Sequence, residues 1–257
     1  MRLGIDAPLK VVAARLPYPV LSALRAARDG TLGAWYRGEG RWCPVCEGSS
    51  RKFRPFGEVR RPDAKCPRCG ALDRHRFVWL YFSRRTDLFD GKPKRMLHVA
   101  PEQWFEPRLR ARLGPGYLTA DLIDPHVMQR MDITQIPYPD GTFDVIYCSH
   151  VLEHVPDDRR AMREFRRVLK PGGWAVLMVP ITADKTFEDP TVIDPAERRR
   201  LFGQADHVRR CGPDYAERLR EAGFRVTVIQ HTDLISRAEA ERMALFAPAL
   251  GGMYHCQ

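Results

Sequence analysis

The chain is predicted to fold as an α/β protein, with a doubly wound, mostly parallel sheet preceded by a small metal-held module. Three observations predict this. The stretch Asp140-Gly-Thr-Phe-Asp-Val-Ile-Tyr-Cys-Ser-His-Val-Leu-Glu-His-Val155 reads as a turn, a buried strand over residues 143–148 and the start of a helix. A second apolar run, residues 174–179, follows Leu169-Lys-Pro-Gly-Gly and suits another strand covered on both faces. Ahead of both, the pairs Cys43-Pro-Val-Cys46 and Cys66-Pro-Arg-Cys69 stand nineteen residues apart.

With 257 residues the chain can bury one large core and still carry a small appended module. Residues 1–40 form a helical segment: Leu9, Val12, Ala13 and Leu16 share one face, and residues 20–27 give a second helix beyond Pro17 and Pro19. Residues 41–71 are the cysteine-bearing ribbon. The connector, residues 72–94, holds a helix over 73–82 with Phe77, Leu80 and Tyr81 on its buried side. The main domain, residues 95–257, opens with a strand at 95–100, a helix over 102–113 and a strand over 116–122 ending at Asp121. A short strand near 127–131 comes next, then the 143–148 strand and a helix with Ala161, Met162, Phe165, Val168 and Leu169 on one face. Asp157 and Asp158 occupy its first turn, and Pro171-Gly172-Gly173 closes it. Residues 174–181, 224–229 and 244–247 supply further strands, with a helix over 215–222 capped by Gly223. Residues 182–214, rich in Asp, Pro and Arg, are too long for a plain connection and form a candidate lid at the carboxyl edge of the sheet.

Charge is unevenly placed. Residues 1–95 carry 21 Lys and Arg against 9 Asp and Glu, a net of +12, whereas residues 96–257 carry 21 against 23, a net of −2. Such a front end attracts phosphate groups, an acidic partner or an anionic surface, and leaves nucleic acid as a partner of residues 1–95 open. No apolar run is long enough to span a bilayer, and Lys10, Arg15, Pro17 and Pro19 break up any secretory segment, so a cytoplasmic location is expected. Two Cys-x-x-Cys turns supply four soft thiolates, the set tetrahedral zinc prefers. Cys43, Cys46, Cys66 and Cys69 are therefore the expected ligands of a structural Zn²⁺, closed to water. Cys148, Cys211 and Cys256 are expected to be buried fillers.

The words Val-Leu-Glu-His-Val and Val-Leu-Lys-Pro-Gly-Gly, with Phe-Asp-Val before them, resemble the second half of a class I S-adenosylmethionine-dependent methyltransferase of the type 11 kind. The resemblance covers roughly residues 95–230 and implies a seven-stranded, Rossmann-like sheet with S-adenosyl-L-methionine as cofactor. It places Asp121, with Leu122 beside it, at the ribose hydroxyls and Asp132-Ile133 at the adenine. The family's first-strand glycines are missing: Leu97-His-Val-Ala-Pro-Glu-Gln103 stands there, so that loop is expected to run differently or to keep more distance from the cofactor. Glu102 is a candidate for the methionine ammonium, a task the family often gives to an acid where this chain has His98. Ala100 lies in the same loop, and Ser149 and His150 should face the same cleft.

Methyl transfer asks the protein to align the acceptor, exclude water and remove a proton. Histidine suits the last task. Phe202-Gly-Gln-Ala-Asp-His-Val-Arg209 places His207 beside Asp206 as base and orienting acid, with Arg209 as an anion contact; His150 is the further catalytic candidate. His150, Glu153 and His154 also repeat the spacing at which ubiquinone-biosynthesis O-methyltransferases place metal ligands, though the first ligand there is an acid, and the preferred reading of these residues is the family word shaping the loop. The function so expected is methylation at oxygen or nitrogen of a small-molecule or carrier- or glycan-linked acceptor. Two alternatives stand beside it: an RNA methyltransferase holding RNA through the ribbon, and a non-catalytic binding module of the same fold.

Overall fold

The computed structural model describes residues 18–57, 60–246 and 251–257. The helix expected around Leu9 to Leu16 lies outside them. Helix α1 (Tyr18–Trp35) leads into two small antiparallel hairpins, β1 (Arg41–Cys43) with β2 (Gly48–Ser50) and β3 (Arg54–Phe56) with β4 (Arg61–Lys65). Helix α2 (Asp73–Arg85) connects them to the main domain. There follow β5 (Met96–Val99), α3 (Glu106–Leu113), β6 (Tyr117–Asp121), β7 (Gln129–Arg130), β8 (Phe143–Ser149), α4 (Asp158–Val168) and β9 (Leu169–Val179). The chain then forms β10 (Phe187–Glu188), α5 (Pro195–Phe202), β11 (Arg209–Arg210), α6 (Tyr215–Glu221), β12 (Val226–Ile229), α7 (Arg237–Met243) and β13 (Gly252–Cys256).

Seven strands form one sheet in the order β12-β13-β9-β8-β5-β6-β7. β13 runs antiparallel to both neighbours, and the β9-β8-β5-β6-β7 pairs are parallel. Strand order reverses between β5 and β8, which leaves a crevice beyond their carboxyl ends, where open α/β sheets bind ligands. The central strands are apolar and buried on both faces because helices cover both sides: β5 is buried throughout, and β8 at all but Asp144. Between β8 and β9, α4 turns Ala161, Met162, Phe165 and Val168 inward and is capped by Asp157, whose carboxylate accepts the Arg160 amide at 2.9 Å. The final strand lies at residues 252–256, not at 244–247; Ala244 ends α7 in a left-handed cap. Ala247 is outside the described residues.

The ribbon is bolted to the sheet through Arg76 on α2. This fully buried guanidinium donates to the carbonyls of Ala64 and Ala71 in the ribbon and of Met243 and Ala244 at the end of α7, at 2.7–3.1 Å. It also stacks 4.5 Å from the centre of the Phe53 ring. Trp79 and Phe82 on the same helix face carry the contact on to Phe105, Tyr147 and Trp174. Among the described residues no helix is long and apolar enough to cross a membrane.

Candidate active site

At the carboxyl edge β5 and β8 end side by side, Val99 pairing with Cys148. The residues that leave them have left-handed backbones, Ala100 at φ 49° and His150 at φ 56°. A side chain in that region costs roughly 1–3 kcal/mol, and such strain concentrates where ligands bind. Hydrogen bonds hold both turns: the Ala100 amide donates to the Ala120 carbonyl at 2.8 Å and the His150 amide to the Met178 carbonyl at 2.9 Å. Ala100 thus adopts a positive φ that glycine takes more readily.

Asp121 closes β6 half-exposed. Its Oδ1 accepts the amides of Ile123 and Asp124 at 2.7 and 2.8 Å, and Oδ2 takes no hydrogen bond among the described residues. Leu122 and Ile123 beside it are exposed apolar side chains, 51% and 81% accessible. Asp132 is exposed, with Oδ1 bound to the amide and hydroxyl of Thr134, both at 2.8 Å. Ile133 is a correction. It is buried in the core with Met131 and Ile136, whereas Leu122 and Ile123 are exposed. Nothing in the sequence marked Ile123, because an apolar residue in a turn reads as core.

His98 and Glu102 are also placed differently from expectation. His98 is fully buried; its Nδ1 meets the Tyr117 hydroxyl at 2.7 Å and its Nε2 meets Glu102 Oε2 at 2.8 Å. Glu102 Oε1 accepts the Tyr147 hydroxyl at 3.0 Å, with His75 Nε2 a further 3.6 Å away. Both carboxylate oxygens therefore face donors under the loop and fasten it to β5, β8 and α2; burial pushes the Tyr147 phenol well above its ordinary pKa, and the Glu102 charge adds to this. The side chain of Ser149 is likewise buried, its Oγ 4.0 Å from the Met178 sulfur.

A second polar group gathers where residues 182–214 cross the carboxyl edge. That segment is a folded piece of its own: β10 pairs with β11, α5 lies between them, and Ile181 bridges Cys211 beside the sheet. The turn Leu152–His154 after β8 faces it. Glu153 is buried, with Oε1 3.3 Å from His150 Nδ1 and Oε2 without a partner; His150 Nε2 is also buried and unpartnered. Burial alone would raise the Glu153 pKa, but the hydrogen bond and charge of His150 outweigh it and hold it low. His207 is buried, with Nδ1 3.2 Å from the Phe202 carbonyl, and packs edge-on against His154 with ring centres 4.7 Å apart. Burial, and then the neighbouring His154, push its pKa below the ordinary value.

Two expectations for this segment are corrected. Asp206 does not orient His207; its carboxylate is exposed and lies 3.4 Å from His154 Nδ1, whose other neighbour is the Asp206 carbonyl at 3.3 Å. Arg209 is not an anion contact. It is buried, donating to the Leu152, Val155 and Pro156 carbonyls at 2.5–2.9 Å and to Glu188 at 2.9 Å. Glu188 and Asp158 also bind Arg218, so the segment is stapled to the sheet rather than left to swing. A lone arginine in a polar loop reads as solvated, which is why its role was illegible.

The four ribbon cysteines converge, with all four sulfurs within 4.8 Å of one another. Cys43 and Cys69 lie 3.8 Å apart, as do Cys46 and Cys66. A zinc ion with Zn–S bonds of about 2.3 Å needs tetrahedral sulfurs about 3.8 Å apart, so the donor set fits the metal. Cys148, Cys211 and Cys256 are buried free thiols, and burial raises the pKa of each. Next to the ribbon a cavity of about 630 Å³ is lined by Arg37, Arg68, Arg108, Trp104, Gln103 and Asp29, among others.

Comparison with known proteins bears on this arrangement. Residues 111–177 match the family described as a methyltransferase domain. That match covers about a quarter of the chain, and the strand order with the antiparallel β13 agrees with it. The sheet is that of a class I methyltransferase. A 27-O-demethylrifamycin SV methyltransferase of Amycolatopsis mediterranei is 35% identical over 109 residues, 41% of this chain and 38% of the relative. A sarcosine/dimethylglycine N-methyltransferase of Halorhodospira halochloris is 32% identical over 117 residues, 44% of this chain and 39% of the relative. The aligned part thus spans less than half the length of these curated relatives. Among solved structures, an S-adenosylmethionine-dependent methyltransferase from Mesorhizobium loti is 17% identical, with a TM-score of 0.47 over 65% of this chain and 91% of that one.

Proposed function

We propose that the protein is an S-adenosylmethionine-dependent methyltransferase acting at oxygen or nitrogen of a small-molecule or carrier-linked acceptor. The observation that carries this reading is the carboxyl edge itself. Two strained non-glycine turns end β5 and β8 at the point where strand order reverses, and the neighbouring β6 closes on an aspartate with an uncommitted oxygen beside two exposed apolar side chains. Asp121 Oδ2 is free to accept from a ribose hydroxyl, Leu122 and Ile123 offer an apolar bed for adenine, and Asp132 Oδ2 can accept from its amino group. Bound there, S-adenosyl-L-methionine would supply an electrophilic methyl carried on a sulfonium. The chain's own part is alignment and exclusion of water, with His150, His154 and His207 walling the acceptor side under residues 182–214. The relatives' names support a small acceptor: an O-methyl transfer is implied for the rifamycin enzyme, and an N-methyl transfer for the sarcosine enzyme. The arginine-lined cavity beside Gln103 gives room for an anionic appendage on a larger acceptor.

We propose equally that Cys43, Cys46, Cys66 and Cys69 hold a structural Zn²⁺. The test of the main reading is calorimetric titration with S-adenosylhomocysteine. Micromolar or tighter binding by the wild type, much weakened in Asp121→Ala, is expected. No binding by zinc-replete wild type would overturn it in favour of a non-catalytic module.

A further inference from the structure

We propose that Glu153, His154 and His207 form a second metal site, a two-histidine, one-carboxylate set for a divalent transition cation, which locks residues 182–214 to the carboxyl edge of the sheet. One ligand atom from each of the three lies within 4.8 Å of the others, so small torsional changes bring them to the roughly 2.0–2.2 Å that such cations need. The set differs from the His150, Glu153 and His154 spacing noted in the sequence, because it takes its third ligand from the segment that crosses the carboxyl edge.

Three further features point to a cation. Glu153 Oε2 is buried and has no hydrogen-bond partner, leaving a carboxylate lone pair in a place where burial without a partner costs free energy. The Nδ1 atoms of His154 and His207 face backbone carbonyls at 3.3 and 3.2 Å, which can only accept, so each Nδ1 carries the proton and each Nε2 keeps its lone pair. Metal-binding histidines are held in this same manner by an outer carbonyl or carboxylate. Finally, the two ligand-bearing segments are fixed to one another independently of any ion: the Val208 amide donates to the Glu153 carbonyl at 3.0 Å, and Arg209 clamps the carbonyls on either side. Imidazole and carboxylate donors suit Zn²⁺, Co²⁺ or Fe²⁺ better than Ca²⁺. Three protein ligands leave at least one position open towards the acceptor. Ligation and a free-base role for His207 exclude each other, and its buried place opposite Glu153 fits ligation.

The test uses the full chain with zinc already in the ribbon, titrated with Co²⁺ and read by visible absorption and native mass spectrometry. Wild type should take up one further ion per chain, with the weak d–d bands of nitrogen and oxygen ligation and none of the intense bands of cysteine ligation. His154→Gln and His207→Gln should each weaken that uptake by about 10-fold to 100-fold or more. His154 is a third exposed, so its substitution leaves no core cavity, and retained ribbon zinc together with an unchanged metal-free melting temperature confirms the fold. Absence of a second ion in wild type, or uptake by both variants equal to that of wild type, would overturn the site. The readout needs no cofactor, so its outcome is separate from that of the S-adenosylhomocysteine titration.

Discussion

Asp121 uses one carboxylate oxygen to fix the turn after β6, and its other oxygen takes no hydrogen bond among the described residues. On the proposed reading, Asp121→Ala removes a charged acceptor from a ribose, a loss of about 1.5–3 kcal/mol. S-adenosylhomocysteine should therefore bind about 10-fold to 150-fold more weakly by calorimetry. Asp121→Asn, which keeps the turn's acceptor oxygen, should fall between the two. Arg76 is the opposite kind of residue, touching no ligand and holding five backbone carbonyls. Arg76→Met should cost about 3 kcal/mol or more, since it strands buried acceptors, and chemical denaturation would measure the loss. The place of Asp121 at the end of β6 was legible because the apolar run stops there, while its ribose role rests on the family resemblance. Arg76 was not, because its buried partners are carbonyls scattered from Ala64 to Ala244, and no local pattern encodes them. His98 and Glu102 were legible as a pair near the loop, but the direction they face depends on Tyr117 and Tyr147, brought in by two other strands.

At the scale of elements, the segment from β10 to β11 behaves as a braced hairpin with α5 at its outer end. Arg209→Gln should release the braces: amide exchange across residues 182–214 should quicken by about 10-fold to 100-fold, with the central strands unchanged. Unchanged exchange in that segment would show that the clamp is dispensable. The central elements were legible because β8, α4 and β9 carry their own periodicity, with apolar runs for strands buried on both faces and a one-sided stripe for the helix. β13 was missed because its five residues include a glycine and a histidine, and it acquires its place only by pairing between β9 and β12. The two hairpins of the ribbon are too short to show any period, and the cysteine spacing alone announced them.

For the whole molecule, the ribbon, α2 and α7 share one buried junction, so the parts should not melt separately. Removing zinc with a strong chelator should lower the calorimetric melting temperature by more than about 10 °C while the transition stays single. A low-temperature step that leaves the sheet's transition in place would show the ribbon to be an independent passenger. The sequence's uneven charge was plain, but its distribution in space was not. Arg41 is matched to Asp63 inside the ribbon and Arg61 to Asp73 at the start of α2, whereas Arg37, Arg68 and Arg108 gather around the cavity.

The Arg209 clamp also bears on how an acceptor enters. The strand end at 209–210 is moored to the sheet and Glu188 is moored to it in turn, whereas the span between them, residues 189–206, takes none of the Arg209 and Arg218 bonds. On the proposed reading that span, with its one helix α5, is the part that would yield to an incoming acceptor.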